Sequence, residues 1–176
     1  MNSYFSSVEK WKIPQTAVSD CLAEMSIDGQ NGNEGIVLFL GRDNGDAAEV
    51  THLVRLRGSN IKKYPDFINI DASLFNEVTD LASEHRARLI GQVHSHGPGY
   101  FLDLSRTDRE YGIHAPCYLS LVAPDYGLSQ KPLGTWGIHV YMENRGYVRL
   151  TRSEVLRKIE MVPGAQLPFL TAGGAE

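Results

Sequence analysis

The stretch "RLIGQVHSHGPGYFLDLSRTD", residues 88–108, decides how the chain folds. Its first part, "RLIGQVHSH" (88–96), reads as a buried strand. Side chains at i and i+2 of a strand share a face, so His94 and His96 project together and Ser95 projects to the other side. "GPGYFLDL" ends the strand with Gly and Pro, and "SRTD" has the form of a helix start, with Ser105 as N-cap and Asp108 in the first turn. Two imidazoles on one face can bind one metal ion at about 2.0–2.1 Å each, and a loop that folds back brings the Asp108 carboxylate to them. Two His and one carboxylate leave a fourth tetrahedral position for water, as catalytic zinc sites do. Taken piece by piece, the same residues also read as a chance His pair on a strand and an ordinary capping box.

Outward from this stretch the chain alternates strands and helices. "EGIVLFLGR" (34–42) is apolar on both faces, as a central strand is, and "DNGD" followed by "AAEVTHLVRLRG" reads as a hairpin turn and its returning strand. Val18, Cys21, Leu22 and Met25 recur at helical spacing and predict a helix over 15–27. Leu74, Val78 and Leu81 predict an amphipathic helix over 71–85, with Asp71 as its N-cap. "SNIKKYPDF" (59–67) reads as a polar loop. Beyond a short helix over 105–114, strands are predicted at "CYLSLVAP", "GTWGIHVYM" and "GYVRL", and a last helix over 153–162. The tail "PGAQLPFLTAGGAE" has no periodicity; its Gly-Gly resembles the end of a ubiquitin-like modifier, but a flexible terminus accounts for it. The predicted class is α/β (α+β): a single mixed central β-sheet flanked by helices. Residues 1–14 form a lead-in, 15–162 one domain, and 163–176 a flexible tail.

Composition bounds the function. At 176 residues, with 42% apolar and 22% charged side chains, the chain can bury the core of one globular domain. A net charge of −4 without a Lys/Arg cluster argues against nucleic acid as a partner. No apolar run approaches the roughly 20 residues of a membrane span. "MNSYFSSVEKWKIPQ" lacks the apolar segment of a secretory signal. Cys21 and Cys117 are too few and too separated for a disulfide framework; they read as small buried apolar residues, and the expected setting is a reducing cytoplasm.

Metal-assisted hydrolysis needs a general base beside the water. Glu34 opens the strand 34–42 and reaches such a water if that strand lies next to 88–96; alone, it reads as a solvated charge after a turn. "EGIVLFLG" followed by "HSHGPGYFLDLSRTD" resembles the JAMM metalloproteases, the MPN-domain family, over about residues 15–150. Their pattern is a Glu at the start of a strand that ends in Gly, then His-Ser/Thr-His, a spacer and Ser-x-x-Asp. Glu34 stands seven residues before Gly41, His94-Ser95-His96 match the second element, and Ser105 and Asp108 match the last. The resemblance implies an MPN/cytidine-deaminase-like layered architecture and a Zn2+ cofactor held by His94, His96 and Asp108. It implies Glu34 as general base and Ser105 as hydrogen-bond donor to the oxyanion, with Ser95 structural.

The activity it implies is hydrolysis of a peptide or isopeptide bond at the C-terminal Gly-Gly of a ubiquitin-like protein. As a lone domain the chain resembles bacterial stand-alone members linked to E1/E2-like conjugation systems, antiviral ones included. Other members trim sulfur-carrier proteins or other peptides, and some have lost the metal and serve as scaffolds; the complete ligand set here favours an enzyme. One departure stands out. Eight residues, Gly97–Leu104, separate His96 from Ser105, one more than members usually have, and Gly97 precedes the Pro that usually follows the second His. A one-residue insertion at Gly97, absorbed by Gly97 and Gly99, is the simplest account. It leaves Asp103 as a rival third ligand, with Asp108 preferred because it keeps the Ser-x-x-Asp relation. A modifier's extended tail can add as a strand to a sheet edge. "SNIKKYPDF" and "APDYGLSQKPLG" stand where the family carries substrate-shaping insertions, or are plain surface loops; Tyr64, Phe67 and Tyr126 are candidate contacts. His52, His85, His114 and His139 have no partner at ligand spacing, and Trp11 and Trp136 read as core.

Overall fold

A strand that is apolar on both faces needs cover on both. The computed structural model describes residues 8–174. Its elements are β1 (Lys10–Pro14), α1 (Gln15–Gly29), β2 (Ile36–Asn44), β3 (Ala47–Leu56), β4 (Ile61–Lys63), β5 (Ile68–Ile70), α2 (Ala72–Glu84), β6 (Arg88–Ser95), α3 (Arg106–Tyr111), β7 (Leu119–Ala123), β8 (Gly137–Met142), β9 (Gly146–Arg149), α4 (Arg152–Lys158), β10 (Ile159–Val162) and β11 (Phe169–Ala172). The main sheet runs β10-β1-β3-β2-β6-β7-β8-β9. It is mixed: β2 is antiparallel to both β3 and β6, whereas β6 and β7 are parallel and joined through α3.

Alternation along β2 builds two cores. Val37 and Phe39 pack with Cys21, Leu22 and Met25 of α1, and Ile36, Leu38 and Leu40 pack with Leu74 and Val78 of α2. Each such side chain contributes about 1.5–3 kcal/mol on burial. A third, smaller cluster of Leu104, Tyr118, Val122 and Tyr147 lies under the loop that precedes α3. Trp11 and Trp136 are buried, as is Cys21, while Cys117 is only half-buried. The chain is thus a mixed α+β fold with one large sheet flanked by helices. No helix among the described residues is long and apolar enough to cross a membrane.

The sheet is wider than the sequence reading. Residues 1–7 of the expected lead-in lie outside the described residues, but Lys10–Pro14 form β1, in parallel with β3 on one side and β10 on the other. Trp11 and Ile13 are its inward residues, each 1% exposed. The last helix stops at Lys158, because Ile159–Val162 pair with β1 instead. Part of the expected flexible tail is also a strand: β11 pairs with Leu53–Leu56 of β3, along the same edge whose earlier part, Ala47–Glu49, holds β1. Ala175 and Glu176 lie outside the described residues. "SNIKKYPDF" is no plain loop either, since β4 and β5 form a hairpin within and just after it. Asp71 does occupy the N-cap position of α2, without a side-chain capping bond.

Candidate metal centre

The two histidines sit at the end of a strand held on both sides. His94 lies opposite Ile36 of β2 and Val122 of β7. Past the strand, the His96 N–H donates to the Ala123 carbonyl (2.9 Å) and the His96 carbonyl accepts from the Tyr126 N–H (2.8 Å). Both rings face one side, with Nε2 atoms 3.2 Å apart. The loop after His96 folds back and delivers α3. Ser105 Oγ accepts from the Asp108 N–H (3.1 Å), and Asp108 Oδ2 accepts from the Ser105 N–H (2.7 Å). This reciprocal cap aims the carboxylate at the imidazoles: Asp108 Oδ1 lies 3.5 Å from His94 Nε2, and Oδ2 lies 3.4 Å from His96 Nε2. The capping-box reading and the ligand reading therefore describe the same carboxylate.

Three donors of these types fit one ion. Ligands bound tetrahedrally at 2.0–2.1 Å stand about 3.3 Å from one another. His94 Nε2 and His96 Nε2 are 3.2 Å apart, and the Asp108 carboxylate meets them through different oxygens, Oδ1 at 3.5 Å from His94 and Oδ2 at 3.4 Å from His96; taking one ligand atom from each residue, all three lie within 4.8 Å of one another. His96 is also prepared for ligation from behind, since its Nδ1–H donates to the Phe101 carbonyl (2.8 Å). In the neutral ring that bond leaves the Nε2 lone pair free for an ion, whereas the charged ring donates from Nε2 to Asp108. The Nδ1 of His94 is buried and finds no partner among the described residues. Burial disfavours the Asp108 carboxylate, but hydrogen bonds from His94 and His96 outweigh it and hold the group well below the usual carboxylate range. Burial likewise opposes a charge on His96, yet its bonds to Asp108 and Phe101 raise its pKa.

Glu34 stands just outside the triangle. It is 4% exposed, and Oε1 lies 4.0 Å from His96 Nε2, beyond the spacing of the other three groups. Among the protein's own charges, burial pushes its carboxyl up to about 8, with His96 working against the shift and Asp108 and Asp66 adding to it. Two bonds fix its backbone: the Glu34 N–H donates to the Tyr64 carbonyl (2.9 Å), and the next N–H, of Gly35, donates to Ser95 Oγ (2.9 Å). Ser95, on the far face from the histidines, thus ties the general-base candidate to the ligand strand. Ser95→Ala strands the buried Gly35 N–H and should cost about 1–3 kcal/mol. Denaturant unfolding of the metal-free protein reads this; a loss under about 0.5 kcal/mol means that water replaces the hydroxyl.

Asp103 does not join the metal cluster: its Oδ1 accepts from His139 Nε2 (2.7 Å) and from Arg109 (2.7 Å). His139, which has no partner at ligand spacing in the sequence, pairs instead with a carboxylate 36 residues away, and Arg109 shares that carboxylate. A histidine facing the inside of an apolar strand was the available signal, because a buried polar group needs a partner. A Cβ on Gly97 would lie 2.6 Å from the Tyr126 hydroxyl, and Gly99 has φ +80°. Tyr126 in turn donates to the Pro65 carbonyl (3.0 Å) and bolts the β4–β5 turn over the site. Asp125 and Tyr126 both adopt left-handed backbone, with φ of 54° and 55°. Strain of that kind collects at functional sites. Tyr64 and Phe67 stack at 4.3 Å in the same turn. Between β5, α2 and α3 opens a cavity of about 450 Å³, lined by Glu34, His94, Asp108, Phe67, Ile70, Phe75 and Tyr111 among others.

No family model and no curated protein matches the chain. Among solved structures, it is similar to the solution structure of protein DSY2949 from Desulfitobacterium hafniense, with a TM-score of 0.62 and 16% sequence identity over 88% of this chain and 94% of that one. At that identity the likeness concerns the fold alone.

Proposed function

We propose that the chain is a zinc-dependent hydrolase of the JAMM/MPN type, cleaving the peptide or isopeptide bond that follows the C-terminal Gly-Gly of a ubiquitin-like protein. One observation carries this reading: two imidazole nitrogens 3.2 Å apart with the Asp108 carboxylate within 3.5 Å of each, and a second buried carboxylate, Glu34, 4.0 Å from the His96 nitrogen. His94, His96 and Asp108 would hold the ion, and a bound zinc would supply Lewis acidity there. Glu34, set outside the ligand triangle, takes the proton of the attacking water and returns it to the leaving amine. Ser105 accepts the Asp108 N–H on its oxygen and keeps a proton to donate to the carbonyl oxygen as that oxygen gains charge.

Substrate recognition follows from the hairpin. β5 lines the cavity and pairs with β4 on one side only. An extended tail adds along the other edge, and two glycines let its backbone come close to the ion. Helices on both faces of a mixed sheet support the MPN-like layering. A modifier of this kind is attached by E1- and E2-like enzymes, which become functional partners. Metal analysis and a panel of fusions, with ubiquitin-like and sulfur-carrier proteins ahead of a reporter, test the reading. About one zinc per chain, cleavage after Gly-Gly, loss on chelation and recovery with added zinc are the expected results. Cleavage confined to the sulfur-carrier fusions reassigns the substrate, and zinc-free protein that cleaves nothing is a scaffold.

A further inference from the structure

We propose that Asp103, Arg109 and His139 form a positioning network that holds Asp108 and the carbonyl partner of His96 in place; the inference rests on the metal-site reading above. The need for such a network is visible in α3. This helix carries Asp108 yet has no fully buried residue, so its packing does little to fix where that carboxylate sits. The loop before it is no better anchored at its tip, where Tyr100 and Phe101 are 57% and 90% exposed. Polar bonds supply what packing lacks. A single oxygen, Asp103 Oδ1, accepts from the Leu104 N–H (2.9 Å), from the Arg109 guanidinium (2.7 Å) and from His139 Nε2 (2.7 Å).

The three donors belong to different parts of the fold. His139 is wholly buried in β8, between Ser120 of β7 and Arg149 of β9. It is therefore an anchor fixed to the sheet. Arg109 directly follows Asp108, and its guanidinium also donates to the Leu104 carbonyl (3.3 Å) and the Tyr147 carbonyl of β9 (2.8 Å). Phe101, whose carbonyl receives His96 Nδ1–H, lies two residues before Asp103. The segment between the Phe101 carbonyl and Asp108 is thus tied to β8 and β9 through Asp103 and Arg109, beside the packing of Leu104 against Tyr118, Val122 and Tyr147. None of the three residues touches the ion or the substrate; they act through Asp108 and His96. Loss of an outer partner of a metal ligand typically weakens metal binding by about 10–100-fold, because the ligand keeps its chemistry and loses its place.

Zinc affinity, measured by competition with a chromophoric chelator, and the visible spectrum of the cobalt(II)-loaded protein test this. Asp103→Ala should weaken zinc by about 10–100-fold and change the cobalt bands. Asp103→Asn, which keeps one acceptor oxygen, should recover part of both. Asp103→Ala combined with His139→Phe should bind no worse than Asp103→Ala alone, since both remove one shared contact. If Asp103→Ala does not fold, Asp103→Asn and His139→Phe decide by the same two readouts. Zinc affinity within about twofold of wild type together with an unchanged cobalt spectrum in these variants overturns the network. Complete loss of zinc in Asp103→Ala with retention in Asp108→Ala overturns it differently, by making Asp103 the ligand. Wild-type protein that binds no zinc removes the metal-site reading itself, so the two failures are distinct.

Discussion

Glu34→Ala should bind zinc as wild type does and cleave a Gly-Gly fusion about 10²–10⁴-fold more slowly, the usual contribution of a general base. The geometry separates the two functions. His94, His96 and Asp108 are mutually within 3.5 Å, whereas Glu34 approaches His96 only to 4.0 Å. It can hydrogen-bond a water at the open position without occupying a ligand position. Glu34→Gln is the sharper variant, because it keeps the volume and removes only the proton acceptor. A buried carboxylate opposes folding, so the glutamine protein should unfold at the same temperature or higher. Lost turnover with intact stability and full zinc then has one explanation. Equal cleavage by wild type and both variants removes Glu34 from the mechanism, and loss of zinc from both makes it a fourth ligand.

What the sequence disclosed was local in period or motif. Side-chain alternation made His94 and His96 neighbours and sent Ser95 to the other face, and both follow from the two-residue repeat of a strand. β2 was legible because a run of five apolar residues, Ile36 to Leu40, has no polar face to give to solvent. Ser105 and Asp108 announced the start of α3 through their spacing. The parts that stayed hidden depend on distant partners. Ile159–Val162 continues a helical pattern by spacing alone; a free edge of β1, well over a hundred residues earlier, makes it a strand. Phe169–Ala172 has no period, and its order comes from the unused half of one edge of β3. Asp103 and His139 are 36 residues apart with no shared motif. The β4–β5 hairpin was obscured by its short strands and by Lys62, Lys63 and Asp66, of which Lys63 is in fact turned inward to Asp28.

Asp108→Ala should lose zinc almost completely, and with it the stability that zinc confers. Wild-type protein at a zinc concentration 100-fold above its dissociation constant should gain about 2.7 kcal/mol against unfolding, and the variant should gain nothing. The same side chain also closes the cap of α3, so part of its loss appears without any metal. Removing the bond to the Ser105 N–H should cost about 0.5–2 kcal/mol in chelator-treated protein. Comparing the two conditions separates cap from ligand. Asp108→Asn helps, since an amide oxygen still accepts from Ser105 but offers zinc a weaker, uncharged donor. It should keep the cap's share of the metal-free stability, lose the charged contacts to His94 and His96, and lose most of the zinc-dependent gain. Asp103→Ala gives the ordering its meaning: it disturbs the support of the site rather than the site, so its zinc loss must be the smaller. Should Asp108→Ala retain the full zinc-dependent gain while Asp103→Ala abolishes it, Asp103 is the third ligand, and the group drawn by His94, His96 and Asp108 is a hydrogen-bonded cluster and no metal centre.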